Sequence, residues 1–329
     1  MPSVSPTQVP SLVTNTGVQT VASVWPTLPQ LWRQWAEVIP IAQASHAPWG
    51  DKSTSFSTDA YPLPRKDGAE IQATTEGEDY TPQGNIRLAA RKIGITQRQM
   101  EAENAQTAIT TSVRAFMADF MRYASLIQDT HHTDIFKYGA YTAGHLATFD
   151  GSFVGNVDPY PTLIYDGDPF FSDSHPVKHA TTTFDNYLAG TALDAAGITA
   201  ARLKINKTNA VDEIGRQTMQ LANAIMVPSD LEYTLDVLLD STQKASTSLN
   251  DKNVYQGKFT KIVNPLLTDT DGWFMGVSGQ GVRGFDGGEP TFETVWDPQT
   301  KTWWVIGEFR YGGYVRNWRP WLAANTSTS

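Results

Sequence analysis

The stretch GITQRQMEAENAQTAITTSVRAFMADFMRYASLIQ, residues 94–128, decides the fold. Thr96-Gln97-Arg98-Gln99 has the form of a capping box: the Thr hydroxyl takes the backbone N–H of Gln99, whose side chain reaches back. Ile95 and Met100 have the spacing of a hydrophobic staple. No Gly or Pro interrupts the run from Thr96 to Gln128. Met100, Ile109, Val113, Phe116, Met117, Phe120, Ala124 and Ile127 recur at three- and four-residue steps, which draws one apolar stripe. The spacing predicts one helix over about 96–128, roughly 48 Å long at ~1.5 Å per residue. Such a helix outreaches most small domains and reads as a strut.

Before this helix, two extended stretches, STSFSTDAYPLP and AEIQATTEGEDY, flank Arg65-Lys66-Asp67-Gly68. Asp67-Gly68 is a strong hairpin signal. The large apolar residues here are few: Phe56, Tyr61, Leu63, Ile71 and Tyr80. A hairpin so poor in core is expected to protrude or to lie on another chain. Further upstream, no charge occurs before Arg33, and Pro2, Pro6, Pro10, Pro26 and Pro29 punctuate the segment. Free tails are usually charge-rich, so an extended arm lying on a surface is expected. Leu31–Ala44 has room for a short helix, ended or kinked by Pro40.

After the helix, residues 131–190 are irregular and hold eleven aromatics. Order returns with a helix over Thr191–Ile205, a buried strand at Ala224–Val227, and a second capping box, Ser229-Asp230-Leu231-Glu232, opening a helix through Leu239. Strands are expected at Phe259–Val263, Trp273–Val277, Phe292–Trp296 and Thr302–Phe309, with Gly307 as a bulge. The class is α+β, with no internal repeat.

Composition narrows the function. The chain has 329 residues, 18% charged, with a net charge of −9 and no cysteine. The charged share falls below the roughly 25% of ordinary soluble domains. Absence of cysteine removes disulfide frameworks, thiolate metal sites and cysteine nucleophiles together. No apolar run approaches the ~18 residues of a membrane span, and MPSVSPTQVP lacks the basic and apolar regions of a secretory leader. The acidic balance argues against a general nucleic-acid binder. Ten Trp, 12 Tyr and 14 Phe fit either an aromatic core or surface that faces other protein.

Catalytic constellations are weak. Gly279-Gln280-Gly281-Val282-Arg283-Gly284 has the dinucleotide spacing, but Phe285-Asp286-Gly287-Gly288-Glu289-Pro290 will not start the helix that motif requires; a flexible loop between strands is expected. His175 and His179 with Asp166, Asp168 and Asp173 have ligand chemistry, but Pro176 opposes a helix presenting both His, so hydrogen-bonded turns are the expectation. His131-His132 is explained by a helix C-terminus. No nucleophile elbow is present. Glu293 and Trp296, near Glu289 and Asp297, face opposite sides of a strand, which disfavours a glycosidase pair. Charge is uneven: residues 149–194 carry seven Asp and one Lys, and 301–329 four basic residues and one Glu. That is either a solvated surface or complementarity between copies.

Taken in order, these segments resemble the tailed-phage major capsid fold, the HK97-like fold. Residues 94–321 are similar to the Mu-like major head subunit family, through GITQRQMEAEN at 94–104, DGDPFFSDSHP at 166–176, ANAIMVPSDLEYTLDVLL at 222–239 and EFRYGGYVRNWRPW at 308–321. The resemblance implies a shell protein, not an enzyme, with no cofactor or metal. Its layout implies an N-terminal arm at 1–48 and an extended loop at 49–85. A peripheral domain would take 86–190, an axial domain 191–291, and 292–329 would return to the peripheral domain. The GQGVRG loop would then lie near capsomer centres. Subunit contacts are expected at Phe56, Tyr61, Leu63, Arg65, Lys66, Ile71 and Tyr80, and at Trp25 and Trp32. The implied partners are other copies in pentamers and hexamers, a portal, scaffold, protease or decoration proteins, and packaged double-stranded DNA without sequence-specific binding or a membrane. The implied location is the virion, after synthesis in the bacterial cytoplasm. Two alternatives stand beside this reading: an encapsulin-type compartment shell, and a Trp-rich secreted binding or hydrolytic protein.

Overall fold

The structure, a computed structural model, describes residues 5–40, 49–50, 54–56, 76–78, 80, 82–84, 86–141, 163–178, 181–212, 215–242 and 252–326. Its first helix, α1, is Val9–Val24, followed by strand β1, Glu37–Pro40. Four short strands come next: β2 Trp49–Gly50, β3 Thr54–Phe56, β4 Glu76–Glu78 and β5 Gln83–Gly84. Then come β6 (Arg87–Thr96), α2 (Gln97–Glu101) and the long α3 (Ala105–Lys137). Strands β7 (His175–Pro176), β8 (Thr183–Phe184) and β9 (Tyr187–Leu188) lead to α4, Ala195–Leu203. Strand β10 (Ala224–Val227) and helix α5 (Glu232–Asp240) precede β11 (Thr260–Val263), β12 (Trp273–Gly276) and β13 (Val282–Asp286). The chain ends with β14 (Thr291–Asp297), β15 (Thr302–Val315) and β16 (Trp321–Ala324).

The strut is real but its bounds differ from the sequence reading. Thr96 and Gln99 form the capping box, and it opens only the short α2. Ala102 turns extended and Asn104 takes a left-handed φ of 65° before α3 begins. Asn tolerates that conformation better than most residues, so the break needs no Gly or Pro. Met100 is buried against Ile95, Ala105 and Ile109, which packs both sides of the break into one cluster. At its other end α3 runs past Gln128 to Lys137, for 33 residues. The added turns carry Asp129, His131, His132 and Asp134, polar residues that an apolar stripe does not register.

The expected extended arm is a helix. Val9, Val13, Thr16, Gly17 and Thr20 of α1 are buried. They lie on α3, where Gly17 admits the Met117 methyl. Thr14 and Thr20 return their hydroxyls to carbonyls four residues back. Residues 31–40 form a single 3-10 turn, Leu31–Gln34, and then β1.

Two five-stranded sheets organise the rest. In the first, β15 is central. β6 pairs along one of its edges, while β14 and then β13 share the other, and β1 adds to β13 in parallel. Gly307 is no bulge: it pairs in register with both Phe292 and Arg91. A side chain there would meet Phe292 and Phe120, so the glycine makes room for that aromatic contact. One face of this sheet packs on α1 and α3 through Val305, Ile95 and Phe309.

The second sheet has the order β11-β10-β12-β16-β9. Strands β10, β12 and β16 are wholly buried. Alternation assigns their side chains to two cores. Met226, Phe274 and Trp321 join Phe136, Phe170 and Phe171 beneath the end of α3. Ile225, Met275 and Leu322 join Ile198 and Leu235 beneath α4 and α5. Helix α5 is preceded by a 3-10 turn, and the expected Ser229 cap bond does not form. Strand pairing also puts Val282–Asp286 in the first sheet, with β15, across the expected boundary at 291. The GQGVRG stretch is accordingly half turn and half strand. Gly279 donates its N–H to Trp35 and Gln280 accepts from the Trp321 indole, so the turn is tied down rather than loose.

Candidate subunit-contact surfaces

The hairpin is anchored at its base. Strand β2 pairs antiparallel with β5, and β3 with β4, with Phe56 opposite Glu76. Tyr61, Leu63, Arg65, Lys66 and Ile71, with the Asp67-Gly68 turn, lie outside the described residues. Tyr80 is half-buried: its ring centroid is 5.2 Å from that of Tyr165, and Lys178 Nζ lies 5.4 Å from its centre. Gly84 lies against Tyr314, where a side chain would collide. The base of the hairpin thus sits against β15, directly before β6.

Trp25 and Trp32 correct the sequence reading. Both were expected to touch neighbouring subunits, yet both are buried in this chain's own core. Trp25 packs 5.7 Å from Phe309. Trp32 is 0% exposed, stacks 4.5 Å from His132, and its backbone N–H donates to Asp129 at 3.0 Å. The uncharged arm conceals them because it folds onto the spine.

A polar band runs through the C-terminal third of α3. His132 points its Nε2 into a slot left by Gly284 and Gly313, which face each other across β13 and β15. Burial lowers the His132 pKa to about 4. His131 is pushed well below its usual value, by burial first and then by the adjacent His132 and Arg87. Burial acts oppositely on Asp129 and Asp134, raising each to about 6.

A second polar cluster ties the loop before β9 to the C-terminal strand. His175 Nδ1 meets Asp166 at 2.8 Å. Its Nε2 faces the Phe170 carbonyl at 3.2 Å and Asn186 Oδ1 at 3.1 Å. Asn186 is oriented by its amide nitrogen, which donates to the carbonyls of Phe170, Trp318 and Trp321. Nε2 therefore carries a proton, since both its partners accept. The ring stacks on Trp318 at 4.3 Å. Asp166, Asp168 and His175 bring ligand-type atoms within 4.8 Å of one another, but both ring nitrogens are already engaged in hydrogen bonds. Burial, then the Asp166 charge, raises the Asp168 pKa. Asp166, His175 and Asn186 form a clasp of hydrogen bonds; His179 lies outside the described residues.

Several exposed apolar residues lie on the segments around the second sheet. Met219 is 90% and Tyr233 79% exposed, and Leu203, Leu221 and Val254 are also exposed. Sequence periodicity missed them, because it marks what a helix or strand buries in its own chain. Glu293 and Trp296 take opposite faces of β14, as expected.

A family model described as phage capsid protein matches residues 134–324. The capsid of Ralstonia phage GP4 is similar with a TM-score of 0.55 at 11% identity, over 89% of this chain and 87% of that one. A solved structure of Mycobacterium phage Patience is similar with a TM-score of 0.52 at 8% identity, over 96% and 87% of the two chains. At such identities these two likenesses speak to the fold. No curated protein matches the chain.

Proposed function

Because this chain belongs to the phage capsid protein family, whose model spans more than half of it, it is a structural shell protein, and we propose that it is the major subunit of an icosahedral phage head. Copies would assemble as pentamers and hexamers around double-stranded DNA. The observation that carries the proposal is the family match, laid over a fold with a spine helix and two five-stranded sheets. We place the chain near Mu-like head subunits on the four sequence segments that resemble them. The hairpin serves as the extended loop, the first sheet with α3 as the peripheral domain, and the second sheet with α4 and α5 as the axial domain. Met219 and Tyr233, exposed on the segments around the second sheet, are candidates for contacts around capsomer centres. A portal, and a scaffold, protease or decoration protein, would complete the head.

The experiment is light scattering of the purified chain followed by negative-stain imaging. Closed shells, or stable pentamers and hexamers, are expected. A monodisperse monomer of 36.2 kDa at high concentration would overturn the proposal. Shells that co-purify with one enzyme rather than DNA would favour the compartment reading, which gains no support from the family match.

A further inference from the structure

The first sheet has edges of opposite charge. Strand β6 carries Arg87, Arg91 and Lys92 and no acid. On the far side of β15, β14 carries Glu293 and Asp297, with Glu289 just before it, and no base. Basic residues on one edge alone would be explained as a guard against unwanted strand pairing. Opposite signs on the two edges are a different arrangement: identical copies laid side by side attract rather than repel.

Register sharpens the point. Glu293 pairs with Ile306, and Ile306 pairs with Lys92. One row across the sheet therefore begins in an acid and ends in a base, on the face turned away from α1 and α3. Among the described residues, no strand pairs with the outer edge of β6 or β14. Glu293 and Arg91 have no ion-pair partner among them, and Lys92 lies over the Trp304 ring at 4.3 Å. Leu88 on β6 and Val295 on β14, 57% and 46% exposed, give each edge an apolar side chain on that same face.

We propose that neighbouring copies in the shell meet edge to edge through this sheet, β6 of one copy against β14 of the next, with Lys92 beside the neighbour's Glu293. The proposal rests on the shell reading above. Both strands run antiparallel to β15, so they run in one direction and meet as a parallel pair. The contact joins two different surfaces, which generates a ring when the rotation closes.

Absence of native cysteine makes the test direct. Within one chain Lys92 and Glu293 stand two strand spacings apart, about 10 Å, beyond the ~7 Å reach of a disulfide. The Lys92→Cys/Glu293→Cys chain, assembled and then oxidised, is expected to give a ladder of covalent oligomers on a non-reducing gel; each single variant gives none. Charge reversal supplies the second arm. Lys92→Glu or Glu293→Lys alone is expected to cut shell yield by about tenfold or more through like-charge contact, and the double reversal to restore it. Shells without a ladder, or single reversals that assemble like the parent, would overturn the edge contact and leave the shell reading standing. A parent chain that remains monomeric would remove both.

Discussion

Gly284 shows how much one missing side chain decides. An added methyl on β13 would overlap the Trp32 ring and come 2.6 Å from His132 Nε2. Gly284→Ala is therefore expected to destabilise the chain by about 2–3 kcal/mol through overpacking, read as a lower urea midpoint; an unchanged midpoint would mean the slot is not filled as described. Asn186 is equally committed. Asn186→Ala strips the Phe170, Trp318 and Trp321 carbonyls of a buried donor, with an expected loss of about 3 kcal/mol. The polar band of α3 predicts a pH effect. His132 has a pKa near 4 when folded against 6.5 free, so acidification favours the unfolded chain, which takes up that proton first. Asp129 and Asp134 sit near 6 when folded against 3.8 free, so below about pH 6 the folded chain takes up their protons first. The two effects oppose each other. Asp129→Asn/Asp134→Asn is expected to expose the histidine effect: stability falls more steeply from pH 6.5 towards pH 4 than in the parent. Parallel urea midpoints across that range would refute the offset.

At the scale of elements, α1 and α3 behave as one unit. Val13 of α1 is buried with Ile109, Val113 and Met117 of α3. Val13→Asp places an unpaired charge there and is expected to cost about 3 kcal/mol or more, seen as a lower melting temperature; a melt like the parent's would show that the arm helix is dispensable. The apolar stripe of α3 was legible in sequence because it repeats with the helix period. The helix in the arm was not, because Thr, Ser and Val favour no one state and five prolines argued for extension. Nor was the break at Asn104, where the left-handed turn depends on Met100 being buried on one side and Ala105 on the other. Strands β10, β12 and β14 were found almost to the residue, being short apolar or alternating runs. Strand β15 was read too short: Tyr311, Gly312 and Gly313 look like a turn, and pair with β13 instead.

At the scale of the whole molecule, the last residues complete the second sheet from its inside. Strand β16 lies between β12 and β9, and Trp321, Leu322, Ala323 and Ala324 are each 0% exposed. A chain ended after Pro320 loses that strand, with Trp321 and Ala323 from one core and Leu322 and Ala324 from the other. It is expected to accumulate as insoluble or protease-sensitive protein. A soluble, protease-resistant truncation would show that the sheet closes without β16. The two sheets also interlock: β13 and β15 serve the first, while β12 and β16, neighbours in sequence, serve the second.

By itself the sequence determined the helix and strand periods, the short supply of charge and the absence of thiol chemistry, since these are local or compositional properties. The order of its elements also resembled a phage capsid subunit, and the chain belongs to the phage capsid protein family. Tertiary structure decided which aromatic residues are core and which polar residues are buried. Trp25 and Trp32 look available until α3 and β15 are brought against them, and His132 finds its place only where two distant glycines face each other. The charged rows across the first sheet belong to the same class. Lys92 and Glu293 are 201 positions apart, and only the register of three strands sets them at opposite ends of one line.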